Sequence, residues 1–158
     1  CKAGDRSEFT VQANDERGNQ QQFGGARFIS TLTNDDLHYD LKVLDQENGT
    51  YVVQYCTCRA GTYELFVSLS SYDIYGSPFT VTVQPGDAHA KHCVAQDGPA
   101  GYGLTKAVRS GTNTFTILAR DAFDNSLTAG GADFKVAIAG GAILHHWQRV
   151  RAKRPRRA

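Results

Sequence analysis

Apolar and polar residues alternate along several short stretches of this chain. Phe9, Val11 and Ala13 are separated by Thr10 and Gln12; Tyr51, Val53 and Tyr55 form a second set, Tyr63, Leu65, Val67 and Leu69 a third, and Phe79, Val81 and Val83 a fourth. A period of two puts each set on one face of a strand, so each predicts a strand with one side toward a core. Between the sets lie turn signals: DERGN at 15–19, GG at 24–25, DQENGT at 45–50, RAG at 59–61 and YGSP at 75–78. Their Gly, Pro, Asn and Asp residues supply positive φ or bond their own backbone. No long stretch ahead of the C-terminal tail carries a helical period, and β-branched and aromatic residues fill the candidate strands. The pattern predicts an all-β chain, and about seven short strands in roughly 85 residues predict a two-sheet immunoglobulin-like sandwich.

The pattern then starts again. Residues 9–28, FTVQANDERGNQQQFGGARF, return 106 positions later as FTILARDAFDNSLTAGGADF at 115–134, with nine identities in twenty ungapped positions. Asp15 and Asn19 match Asp121 and Asn125, and Gly24 and Gly25 match Gly130 and Gly131. General β-propensity would not hold an aspartate, an asparagine and two glycines in register, so the chain is read as a tandem duplication. Residues 84–93, QPGDAHAKHC, form the join, where Pro85 and Gly86 end the last strand of the first copy.

Charge is nearly balanced overall, at +1, but unevenly distributed. Residues 143–158 hold six basic residues and no acidic ones, leaving −5 on the other 142 residues. A nucleic-acid reading would rest on that tail alone, and none is expected. The tail admits a basic segment for acidic partners, an amphipathic element around Trp147 or non-native sequence, and the last is preferred. No apolar run is long enough to cross a membrane and no signal-peptide pattern opens the chain. Because the chain opens on Cys1 and contains no methionine, it is read as a fragment whose targeting is illegible.

Catalytic signatures are missing: there is no Gly-x-Ser-x-Gly elbow, His-Glu-x-x-His pair or phosphate-binding glycine loop. Asp35 and Asp36 beside His38 are expected to form a solvated turn, and the Asp15/Asn19 and Asp121/Asn125 pairs are expected to shape turns because they supply too few oxygens for calcium. No metal or other cofactor is expected. His89, His92 and Cys93 are only a loose zinc candidate, Cys56 and Cys58 are placed on one face of a strand, and the four cysteines are expected to be unpaired thiols. Asn48-Gly49-Thr50 fits a glycosylation acceptor but also a tight turn, and the turn is preferred.

The pieces AGDRSEFTV, GTYVVQY, AGTYELFVSL and GSPFTVTVQPGDA, followed by GYGLTKAVRSGTNTFTILARDAFDN, resemble the filamin-type (ABP280) immunoglobulin-like repeat over essentially residues 2–140. The resemblance implies a tandem β-sandwich whose domains are residues 1–86, a repeat without its first strand; 87–141, the N-terminal half of a second repeat; and 142–158, a basic tail that is disordered or non-native. The GYGL opening at 101–104 has no counterpart before Cys1, Thr57 stands where family repeats carry a proline, and the second repeat stops after its third strand near Ala139. Half a sandwich leaves an apolar face uncovered, so residues 95–140 are expected to be marginally stable. Tyr63 takes a tyrosine-corner position.

What the resemblance implies for function is a non-enzymatic structural scaffold: filamin-like rod repeats in the cytoplasm, associated with the actin cytoskeleton through other domains. Partner proteins would supply extended segments that add as strands to the edge between strands C and D. Carried over by position, the groove residues are Ile29 and Thr31 on strand C with Tyr39, Leu41 and Val43 on strand D; the alternative is that Leu41 and Val43 fill the core. Two other contexts remain open: extracellular adhesion repeats of a gamete or cell-surface protein, and substrate-docking repeats of a ubiquitin ligase.

Overall fold

The computed structural model describes residues 1–137 and, as backbone only, 148–151. It divides into two compact units, Cys1–Gln84 and Pro85–Ala158. The described residues contain strands and turns and no helix, so the chain is all-β.

The first unit has eight strands. They are β1 (Ser7–Gln12), β2 (Phe28–Thr33), β3 (His38–Asp40), β4 (Lys42–Asp45), β5 (Thr50–Tyr55), β6 (Gly61–Leu69), β7 (Tyr72–Asp73) and β8 (Phe79–Val83). One sheet runs β1-β5-β4; the other runs β3-β2-β6, with β7 and β8 both pairing with β6, and every pairing among these strands is antiparallel. The alternating residues supply the core between them: Val11, Tyr51 and Val53 from the first sheet, Leu32, Tyr63, Leu65, Val67 and Val83 from the second. Phe28 and Tyr51 join the sheets, with ring centroids 4.7 Å apart. This is the immunoglobulin-like sandwich that the alternation predicted.

Two polar devices fix the corners. The Tyr63 hydroxyl donates to the Arg59 carbonyl at 2.8 Å, the local bond of a tyrosine corner, and lies 3.4 Å from Thr57 Oγ1. The Thr57 carbonyl accepts Gly4 N–H at 2.9 Å. At the opposite corner, Gln12 Nε2 donates to the carbonyls of Ala13, Gln21 and Gly49 at 3.0, 3.2 and 3.1 Å, tying three chain segments together. Near the start of the chain, Lys2 forms a parallel bridge with Gln84, continuing the line of β8.

In the second unit β9 (Val94–Asp97) pairs antiparallel with β10 (Phe115–Leu118), and β11 (Asp133–Val136) with β12 (Gln148–Arg151). Asp97 holds the GYGL opening: its carboxylate accepts the amides of Leu104 and Thr105 at 2.7 and 3.0 Å and the Thr105 hydroxyl at 2.6 Å. Every buried apolar residue among the described ones belongs to the first unit, while Val94, Leu104, Val108, Leu118 and Phe123 of the second are all substantially exposed. Part of the basic tail thus falls in a strand, β12; the rest of residues 142–158 lies outside the described residues.

Candidate functional site: the sheet edge at β2, β3 and β4

The run from His38 to Asp45 was expected as one strand, D. It divides at Leu41: β3 pairs with β2 in one sheet, and β4 pairs with β5 in the other. Leu41 N–H donates to the Ser30 carbonyl at 2.9 Å, so the chain crosses between the sheets while still hydrogen-bonded to β2. The β2 edge is therefore occupied from Ser30 to Thr33.

Register separates the five candidate residues into two sets. Ser30 and Leu32 are buried, so Ile29 and Thr31 take the outer face of β2, opposite Ser68 and Phe66 of β6. Tyr39 lies opposite Leu32 and Val43 opposite the fully buried Val53, which turns both inward. Tyr39, Leu41 and Val43 are half-buried and pack against the core. Ile29 is 59% exposed. At Phe28 and Ile29 no strand pairs with the side of β2 away from β6 among the described residues, so an unpaired stretch of backbone adjoins an exposed apolar side chain.

The edge of β4 is less open. Gly25 N–H donates to Asp45 Oδ2 at 2.7 Å, and Ala26 N–H to the buried Tyr51 hydroxyl at 2.9 Å, so the GG turn runs past it. The outer edge of β3 is unpaired among the described residues, but β3 is only three residues long. Nothing in the alternation of the sequence marked the break at Leu41.

The remaining candidate chemistry resolves into structure. Asp36 pairs with Arg59 at 3.1 Å, and Asn34 Oδ1 accepts the amides of Asp36 and Leu37, closing the turn before β3. Asn48 Oδ1 accepts the amide and hydroxyl of Thr50 at 3.0 and 2.6 Å, the geometry of an Asx turn. Cys56 and Cys58 lie beyond β5, which ends at Tyr55, instead of sharing a strand face; all four cysteines are free thiols. His92 Nδ1 lies 2.9 Å from Asp124 Oδ1, and Cys93 Sγ accepts Arg120 N–H at 3.4 Å. Among the described residues no group of three or more His, Cys, Asp or Glu side chains gathers as a metal site.

The duplicated aspartates shape duplicated turns. Asp15 Oδ1 accepts the amides of Arg17 and Asn19 at 2.9 and 2.8 Å, and Oδ2 accepts Asn19 Nδ2 at 2.9 Å. Asp121 repeats this with Phe123 and Asn125, and Gly86 N–H donates to its Oδ2 at 2.8 Å as well. Burial pushes the Asp121 carboxyl up, but the Asn125 side chain and the amides of Gly86, Phe123 and Asn125 outweigh it and hold the group below its ordinary value of 3.8. The sign follows: Asp121 contributes stability that is present above 3.8 and lost as the pH falls through its lower folded value. Asp121→Asn is expected to lower stability at neutral pH and to flatten the acid limb of a denaturation series; an acid limb identical to that of the parent would contradict this.

The fold and its open sheet edges define an immunoglobulin-like, all-β sandwich of the protein-interaction kind. Residues 1–80 match the family described as Filamin/ABP280 repeat. The chain belongs to the filamin repeat family.

Among similar proteins, E3 ubiquitin-protein ligase TRIM45 of Bos taurus is 34% identical over 79 residues, 48% of this chain and 14% of that protein. E3 ubiquitin-protein ligase TRIM71 of Rattus norvegicus is 35% identical over 82 residues, 51% of this chain and 10% of that protein. Filamin-C of Rattus norvegicus is 28% identical over 143 residues, 89% of this chain and 5% of that protein. The chain thus spans a small fraction of each relative's length. The crystal structure of the Lin-41 filamin domain is similar with a TM-score of 0.46 and 20% identity, over 53% of this chain and 81% of that one. Among the described residues no helix is long and apolar enough to cross a membrane.

Proposed function

We propose that this chain is a non-enzymatic docking module that takes extended protein segments as an added strand beside β2. The observation that carries the reading is the pairing of exposed Ile29 with the unpaired backbone at Phe28 and Ile29. An incoming strand gains main-chain hydrogen bonds there, and Ile29 offers it an apolar contact. It extends along β2 by exchanging with β3, which pairs with only Thr31, Leu32 and Thr33 and so gives up few bonds. Tyr39 and Leu41 then leave their half-buried places and expose the inward groove beside Leu32. Thr31 lies along the same path on the outer face, and Val43 forms the groove's far wall on β4.

The filamin-like reading puts the module in a cytoplasmic scaffold linked to the actin cytoskeleton through other domains. Similarity to Filamin-C over 89% of the chain supports that context. A second context, substrate docking for a ubiquitin ligase, is favoured by the similarity to TRIM45 and TRIM71. Both use the same edge.

The test is affinity capture with the full chain, comparing wild type with Ile29→Asp, followed by binding of the purified captured proteins. Ile29 is on the surface, so the substitution is expected to change stability by no more than about 0.5 kcal/mol while abolishing retention of specific partners. Equal retention by both proteins would remove β2 from the docking site.

A further inference from the structure

The internal duplication shows one docking contact filled in the second unit and open in the first. In the second unit β9 pairs with β10, placing Thr116 opposite Gln96 and Leu118 opposite Val94. Gly98 N–H donates to the Thr114 carbonyl at 3.1 Å, which sets the phase: Thr114, Thr116 and Leu118 turn their main-chain groups toward β9. The segment leading into β9 also binds the Asp121 turn. Gly86 N–H donates to Asp121 Oδ2 at 2.8 Å, and His89 N–H to the Arg120 carbonyl at 2.7 Å. Asp121 is 1% exposed.

The first unit contains the same acceptor without the added segment. By the shift of 106 positions, Thr114, Thr116 and Leu118 correspond to Glu8, Thr10 and Gln12 of β1, and Arg120 and Asp121 to Asn14 and Asp15. Ala13 N–H donates to the Gly49 carbonyl at 2.9 Å in register with the β1–β5 ladder. Phe9, Val11 and Ala13 therefore turn their main-chain groups to β5, while Glu8, Thr10 and Gln12 turn theirs the other way. On that side no strand pairs with β1 among the described residues. The Asp15 turn matches the Asp121 turn bond for bond, including the Asn14–Gln20 and Arg120–Ser126 bridges, but Asp15 is exposed.

We propose that the β1 edge and the Asp15 turn form a second acceptor site, separate from the β2 edge, for an extended protein segment of the kind seen at residues 86–97. The recognised chemistry is a glycine amide free to reach the Asp15 carboxylate, a main-chain N–H for the Asn14 carbonyl, and, beginning eight residues after the glycine, a short antiparallel strand. That strand pairs with Thr10 and Gln12 in the register that β9 takes on β10. Glycine suits the first position because its amide approaches the carboxylate with no side chain in the way. The length of the open edge, six residues in β1 against three in β3, makes this the longer template of the two.

The test uses the full chain and a synthetic peptide of residues 85–98 carrying Cys93→Ser, with amide exchange read residue by residue by NMR. At about 1 mM peptide, a concentration that reports even millimolar affinity, the Glu8, Thr10 and Gln12 amides are expected to exchange about tenfold more slowly. Phe9 and Val11, already bonded to β5, stay unchanged. The same peptide with Gly86→Pro, which removes the donor without touching the folded chain, is expected to bind much more weakly. In the chain, Thr10→Pro removes one outward N–H at a position where an edge strand tolerates proline, and is expected to abolish the peptide effect. Unchanged exchange at Glu8, Thr10 and Gln12, equal binding of the Gly86→Pro peptide, or protection appearing at β2 and β3 instead would each overturn the proposal.

Discussion

Tyr63→Ala is expected to destabilise the first sandwich by about 3–5 kcal/mol, the range for deleting a buried aromatic side chain. Tyr63 is 0% exposed and sits where β6 faces the core, so the surrounding side chains cannot close the space without disturbing both sheets. Tyr63→Phe separates the packing from the polar contribution. It keeps the ring but leaves the buried Arg59 carbonyl without its 2.8 Å donor, at a cost of about 1–2 kcal/mol. Urea denaturation of the full chain followed by circular dichroism gives both values. If the phenylalanine variant lost as much as the alanine variant, the corner would depend on the hydroxyl and not on the ring.

The second large effect concerns a single hydrogen atom. Gly49 ends the β4–β5 turn with φ at +85°, and a Cβ built there would lie 1.9 Å from the Gln21 carbonyl oxygen. Gly49→Ala therefore adds left-handed backbone strain of about 1–2 kcal/mol and forces apart the segments that Gln12 holds together, for a total of roughly 3 kcal/mol or more. Gly18 supplies the control, since its φ is +82° but nothing lies within 4 Å of an added Cβ. Gly18→Ala is expected to cost only the strain, about 1 kcal/mol. Equal losses at the two glycines would show that the approach of Gln21 is irrelevant. A pair of thermal melts decides between these outcomes.

Both effects sit at positions whose local role could be read from the sequence. Tyr63 belongs to an alternating set, and Gly49 to an Asn-Gly turn, because strand periodicity and turn chemistry are properties of neighbouring residues. The duplicated Asp-Asn turns were legible for the same reason, since each aspartate bonds amides two and four residues ahead.

What escaped the sequence depends on residues far apart. Tyr39, Leu41 and Val43 alternate as one strand would, yet the chain changes sheet at Leu41; both sheets face the same core, so the inward phase survives the crossing and alternation cannot register it. The grouping of Ile29 and Thr31 with those three came from the resemblance, whereas burial of Ser30 and Leu32 sends Ile29 and Thr31 to the opposite face. Gln12 looks like any outward polar residue, and only the meeting of three loops gives its amide three carbonyls. The Gly86–Asp121 bond spans 35 residues and has no local signal at all.

Docking beside β2 is most directly tested by hydrogen–deuterium exchange on the full chain, with and without a purified partner obtained by Ile29-dependent capture. The expected result is slower exchange at Phe28 and Ile29, accompanied by altered protection across Ser30–Thr33 and His38–Asp40 as β3 gives way to the incoming strand. Protection confined to other strands, with β2 and β3 unchanged on binding, would contradict it.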